Sequence, residues 1–172
     1  EDDIIELLIK GFSIDNIVGG YISGDVVHNI CATPSYYGRF VYGDDQWKFI
    51  ETDNFPTIYS IISQKGSMFT QRWVIKNSEI YRPYARGDST DNRFIYRALC
   101  EKNDSLMIAQ SNHFIPYNLF VKALKAYGIE NALYMDMGSG WNHSFYRDTN
   151  NDLHIIFPKT HNHCTNWITF YK

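Results

Sequence analysis

The chain is predicted to fold as an α+β domain, with a mixed, mostly antiparallel β-sheet core, two or three flanking helices and one βαβ crossover. Three observations lead there. β-Branched and aromatic runs alternate with glycine and Asx turns over residues 17–51 and again over 71–82, the texture of successive hairpins. Two stretches change to helical spacing, around 54–66 and 119–128. The second lies between apolar runs at 106–109 and 132–136, and a strand, helix, strand succession is the unit that joins parallel neighbours.

In chain order, Asp3-Ile-Ile-Glu6 opens with a capping-box pattern followed by Leu7, Leu8 and Ile9, with Gly11 as the stop, so a short helix is expected there. Ile17-Val18, Tyr21-Ile22, Val26-Val27, Arg39-Phe-Val-Tyr42 and Gln46-Trp-Lys-Phe-Ile50 read as strands. The last two flank the hairpin loop Gly43-Asp44-Asp45. Asn54 and Pro56 supply the cap and first turn of a helix that buries Ile58, Ile61 and Ile62 and ends by Gly66. Gln71-Arg-Trp-Val-Ile75 and Glu79-Ile-Tyr-Arg82 form a hairpin about Lys76-Asn-Ser78. The tract 86–92 is a polar loop, and its Arg-Gly-Asp triplet is too short to carry a function.

Arg97-Ala-Leu-Cys100 and 106–109 are strands about a turn at 101–104. A helix then carries Phe120, Leu124 and Tyr127 on one face, ends at Gly128, and delivers the strand that finishes at Asp136. Phe145-Tyr146, 153–157 and 165–171 complete the strands. With 172 residues and no internal repeat, 1–172 is a single domain.

The net charge of −3 is spread along the chain with no Lys/Arg cluster, which argues against a nucleic-acid partner. No apolar run is long enough for a transmembrane segment and no charged-then-apolar leader is seen, so a soluble domain is expected. The 13 Tyr, 11 Phe and 4 Trp are enough to line a groove as well as fill a core, a feature common in proteins that handle carbohydrate. Cys31, Cys100 and Cys164 are too few for a disulfide framework, and either all are buried thiols or two pair. His161-Asn-His163-Cys164 offers too few ligands for a zinc site, so neither metal nor cofactor is expected. Cys100 lies in an apolar run where a thiolate is costly, which argues against a nucleophile paired with His113.

The stretch best placed for chemistry is 132–147. Asp136 stands at the carboxyl end of its strand, where ligands collect in open sheets. Gly138-Ser139-Gly140 can turn backbone N–H groups to one side, and Asp136 is an acid, a base or an anchor for hydroxyls, or merely a cap for the turn. Asn142, His143, Tyr146 and Arg147 follow closely enough to surround the same pocket, with a structural histidine the plainer reading of His143.

Gly128-Ile-Glu-Asn-Ala-Leu-Tyr-Met-Asp-Met-Gly-Ser-Gly140 resembles the signature of the phosphodiester glycosidase family, which includes the lysosomal activity that uncovers mannose 6-phosphate by removing N-acetylglucosamine from a phosphodiester. Arg97-Ala, Lys76-Asn-Ser-Glu79 and Gly66-Ser-Met-Phe69 are similar to further family segments. Together with 165–171 they look most like an uncharacterised branch found in gut Bacteroidetes. The resemblance covers 66–172, with 1–65 as the N-terminal part of the same domain. It implies hydrolysis of a sugar–phosphate or related glycosidic linkage by a secreted or periplasmic protein with a small-molecule or glycan substrate. Asp136 would be the catalytic carboxylate, Arg97 a clamp on phosphate and Glu79 a second acid. Met137 and Trp141 depart from the family turn, which makes a non-catalytic carbohydrate-binding domain using the same pocket the alternative.

Overall fold

The computed structural model describes residues 4–9, 19–31, 34–81, 93–135, 144–157 and 166–171, with 4–9, 157 and 166–171 as backbone only. In order, the elements are β1 (Ile4–Ile9), β2 (Tyr21–Ser23), β3 (Val26–His28), β4 (Tyr37–Gly43), β5 (Gln46–Glu51), α1 (Phe55–Ser63), β6 (Ser67–Lys76) and β7 (Glu79–Ile80). They continue with β8 (Arg93–Phe94), β9 (Arg97–Lys102), β10 (Ser105–Gln110), β11 (Ile115–Pro116), α2 (Tyr117–Tyr127), β12 (Asn131–Met135), β13 (Ser144–Arg147), β14 (Leu153–Phe157) and β15 (Asn166–Tyr171).

Nine of these strands form one sheet ordered β10-β9-β12-β6-β2-β3, with β4 and β7 also paired to β6 and β5 paired to β4. The ten-residue β6 is its hub. The first part of β6 pairs with β2 and β4, and its last residues pair with β12 and β7. Three two-stranded sheets, β1–β15, β8–β11 and β13–β14, complete the described strands.

This corrects the expected α+β class. The described residues are mostly antiparallel strand with two short helices, closer to an all-β protein. Tight turns explain it. Asp44-Asp45, Asn77-Ser78 and Asn103-Asp104 each place two residues at φ between 49° and 65°. That positive-φ pair marks the type I′ turn, whose twist matches adjacent antiparallel strands. The N-terminal helix is also corrected: Ile4–Ile9 is a strand in register with β15, from Ile4↔Tyr171 to Ile9↔Asn166. Long-range pairing overrides a local capping pattern because intrinsic helix preference is weak.

The crossover is corrected too. β10 and β12 are each antiparallel to β9 and lie on its two edges, so they run parallel to one another without being neighbours. Helix α2 passes over the intervening strand. It can lie close because β9 and β12 present Ala98, Cys100 and Ala132 beneath Phe120, Val121 and Leu124. Gly128, at φ 85°, ends the helix in the left-handed conformation.

Helix α1 packs Ile58 and Ile61 on Ile22, Val41, Ile50 and Met68. The Asn54 side chain caps it by accepting from the Thr57 N–H at 3.4 Å. Strand alternation puts both helices on one face of the sheet. The other face is largely aromatic, with Phe40, Trp73, Leu99 and Leu133 buried and Trp47, Phe49, Phe69 and Met135 packed around them.

Candidate functional site

β9 begins at Arg97. Its alternation turns Ala98 and Cys100 under α2, which leaves Arg97 and Leu99 on the aromatic face. The register places Arg97 opposite Gln110 on one side and Met135 on the other. Its side chain is buried, and two neutral oxygens orient it. Nε donates to Gln110 Oε1 at 2.8 Å and Nη2 to Ser144 Oγ at 3.0 Å, with a further contact from Nη2 to the same Gln110 oxygen. Loss of water around the guanidinium lowers its pKa to about 10, which still leaves it cationic at neutral pH.

Met135 is the last described residue before Asp136, and Ser144 is the first after His143. Asp136, Gly138, Ser139, Gly140, Asn142 and His143 themselves lie outside the described residues, as do His161, His163 and Cys164. Both flanks of the 136–143 segment therefore meet at one residue: Met135 pairs with Arg97 in the strand register, and Ser144 accepts a hydrogen bond from its side chain.

The other expected residues that are described, Glu79, Tyr146 and Arg147, make their contacts elsewhere. Glu79 is exposed in β7, where it pairs with Lys125. The adjoining turn leans on the start of β12, with Asn77 N–H donating to Asn131 Oδ1 at 3.1 Å and Ser78 N–H to Glu130 O at 2.8 Å. Arg97 is at the far end of β12, roughly 13 Å further on at ~3.3 Å per strand residue. Tyr146 is exposed and stacks on His154 with 4.8 Å between ring centres, while Arg147 Nη1 donates to Asn151 O at 2.9 Å. Both are thus engaged within the β13–β14 hairpin. Asp148 fixes its turn by accepting from His154 Nε2 and from the Asn150 and Asp152 N–H groups, which hold its carboxyl below the usual range.

Gln110 and Ser144 were not anticipated. Gln110 had a signal: in a hairpin with a two-residue turn at 103–104, positions paired across it follow by counting, and Arg97 falls opposite Gln110. Ser144, 47 residues from Arg97, had none.

A pocket of about 250 Å³ is lined by Phe49, Ile50, Glu51, Asn54, Trp73, Lys76, Asn77 and Asn131. It sits at the Asn131 end of β12, and no expected site residue lines it. Cys31 and Cys100 are free thiols, and burial pushes the Cys100 thiol up to about 12, which keeps it protonated and inert. Among the described residues no three His, Cys, Asp or Glu side chains gather as a metal would require. Nor is any described helix long and apolar enough to cross a membrane. No protein-family model matches the chain, and no curated protein matches it in sequence.

Proposed function

We propose that this protein is a hydrolase of phosphate-linked or related glycosides, exported from the cell, with Asp136 as the catalytic carboxylate and Arg97 as the phosphate clamp. One observation carries the reading: the segment that begins with Asp136 is tied at both flanks to Arg97, through the Met135 register and the Ser144 hydrogen bond. Glu79 has no part in it, because its hairpin abuts the opposite end of β12.

The chemistry follows from the two groups. Water replaces phosphate at the anomeric carbon: the bond from that carbon to the phosphate oxygen breaks, its electron pair leaves with the phosphate, and a carbon–oxygen bond to water forms. Asp136 either takes the proton from that water or attacks first and is then released by it. A phosphate departs as a stable anion, so a cation that holds its charge contributes more than a proton donor. Gln110 and Ser144 are neutral groups that accept from Arg97, so these two bonds orient it for a phosphate oxygen.

The test is release of free sugar from a panel of sugar phosphodiesters by the wild type, Asp136→Asn and Arg97→Ala, with folding checked by circular dichroism. Each replacement should lower the rate by about 10²-fold or more. A wild type inactive on the whole panel, or Asp136→Asn with wild-type turnover, sinks the proposal. Glycan binding that survives Asp136→Asn without turnover would place the protein among non-catalytic binding domains instead.

A further inference from the structure

A second arginine is buried on the opposite face of the sheet. Arg39 in β4 is fully enclosed, in register between Ile50 of β5 and Thr70 of β6. A guanidinium has five N–H donors and stays charged near neutral pH. Here Nη2 donates to the carbonyls of Ile30 and Cys31 at 3.0 and 2.7 Å, and Nη1 reaches only the weak acceptor Met68 Sδ at 3.7 Å. Nε has no acceptor, and no carboxylate among the described residues pairs with the group. Burial depresses its pKa, opposed in part by Cys31.

The neighbour in register repeats the pattern. Thr70 is buried, and its hydroxyl has no hydrogen-bond partner among the described residues. Gly20 is next in the row, since Tyr21 pairs with Phe69. A side chain on Gly20 would stand 3.3 Å from Thr70 Oγ1 and 2.3 Å from Asn29 O. The 29–31 backbone therefore rests directly on this row, with Asn29 at a left-handed φ of 45°.

We propose that Arg39 and Thr70 form a binding site for a small oxyanion, a phosphate or carboxylate group, closed over by the 29–31 loop. The Nε–H and the threonine hydroxyl are donors on adjacent strands, both without acceptors. One oxyanion accepts from both and supplies the negative charge that buried guanidinium lacks. The carbonyls of Ile30 and Cys31 hold Nη2 in the meantime, but neutral carbonyls answer its hydrogen bonds and not its charge. Entry lifts the loop, returns those carbonyls to water and hands Nη2 to the anion. The site lies across the sheet from Arg97 and does not rest on the glycosidase reading.

Thermal unfolding at pH 7 in rising potassium phosphate, potassium acetate or potassium chloride at matched ionic strength tests this, alongside calorimetric titration with phosphate and with acetate. Phosphate or acetate should raise Tm in a saturable way that chloride does not reproduce, and the more effective anion identifies the group taken. Thr70→Val keeps the shape and removes a hydroxyl that has no partner, so the fold should persist while the half-saturating concentration rises about tenfold. Arg39→Met should abolish the response. An equal effect of all three salts on the wild type, or an unchanged response in Thr70→Val, overturns the proposal even where Arg39→Met fails to fold.

Discussion

Gly38 in β4 provides a sharp test of how the aromatic face is packed. A Cβ there would lie 2.2 Å from Trp73 Cε2, 2.5 Å from Cζ2 and 2.6 Å from Nε1. The indole cannot easily retreat: it is 4% exposed, with Phe49 at a ring separation of 6.3 Å and Leu133 in the same buried cluster. Gly38 has no left-handed backbone, so alanine is conformationally acceptable, and reduced freedom of the unfolded chain would by itself stabilise by about 0.4–1 kcal/mol. Overpacking opposes this with about 1–3 kcal/mol and decides the sign. A net loss of about 1–2 kcal/mol lowers Tm by about 2–8 °C for a chain of this size. Urea and thermal unfolding measure it, and Trp73→Leu provides the control. That replacement costs stability alone, but in its background Gly38→Ala should lose most of its effect, a coupling of about 1–2 kcal/mol. A Gly38→Ala protein as stable as wild type, or a penalty unchanged beside Leu at 73, would refute the reasoning. The contact also bears on the candidate site, because Trp73 is the register partner of Leu133, two positions before Met135.

Gln110→Leu removes the amide oxygen that orients Arg97 and leaves a buried guanidinium short of an acceptor. Urea unfolding should show a loss of about 1–3 kcal/mol, and wild-type stability would mean that Gln110 does not hold Arg97 in solution. Cys100 supplies a pH test. Its native pKa is raised from 9.0 to about 12, so above pH 9 the unfolded chain releases a proton that the native state retains. Stability from this group is complete below pH 9 and falls as pH rises toward 12, by about 1.4 kcal/mol per unit. Unfolding of wild type and Cys100→Ala between pH 8 and 11 should therefore give a free-energy difference that drifts in favour of the variant, and parallel curves would contradict it.

How much of this was legible in the sequence depended on the range of the deciding contact. The hairpins were visible because Asp44-Asp45, Asn77-Ser78 and Asn103-Asp104 carry their own turn chemistry. Helix α2 was visible from the spacing of Phe120 and Leu124 and the Gly128 stop. Ile4–Ile9 was misread because its partner, Asn166–Tyr171, stands at the other end of the chain. The crossover was misread because nothing local says that β10 takes one edge of β9 and leaves the other to β12. Arg97 was singled out through a family resemblance, and its oxygen partners required the register. Arg39 drew no notice, since a charged residue beginning Arg-Phe-Val-Tyr reads as the open side of a strand. In a sheet with both faces covered, alternation separates Phe40 and Tyr42 from Arg39 and Val41 without leaving either pair in water.

The two buried arginines answer one energetic problem differently, and the difference indicates what each site can do. Removing a guanidinium from water costs several kcal/mol, and well-packed apolar residues at such positions are often as stable or more so. Packing alone therefore explains neither. Around Arg97 a side-chain amide and a hydroxyl fix the direction of the charge, and the flanks of a candidate catalytic segment meet at that residue. Those holders belong to β10 and β13, and backbone pairing rather than the guanidinium sets their positions: Gln110 through the β9–β10 register and Ser144 through β14. Around Arg39 the oxygen acceptors are carbonyls of one short loop, and that loop rests on Gly20 through contacts that only a hydrogen atom permits. Lifting 29–31 breaks both of those hydrogen bonds at once without disturbing a strand pairing in which residues 29–31 take part, since β3 ends at His28. A preset cation suits repeated turnover, and a cation under a detachable loop suits capture. Arg97 is accordingly the position where substitution should cost rate, and Arg39 the position where it should cost the response to an added anion.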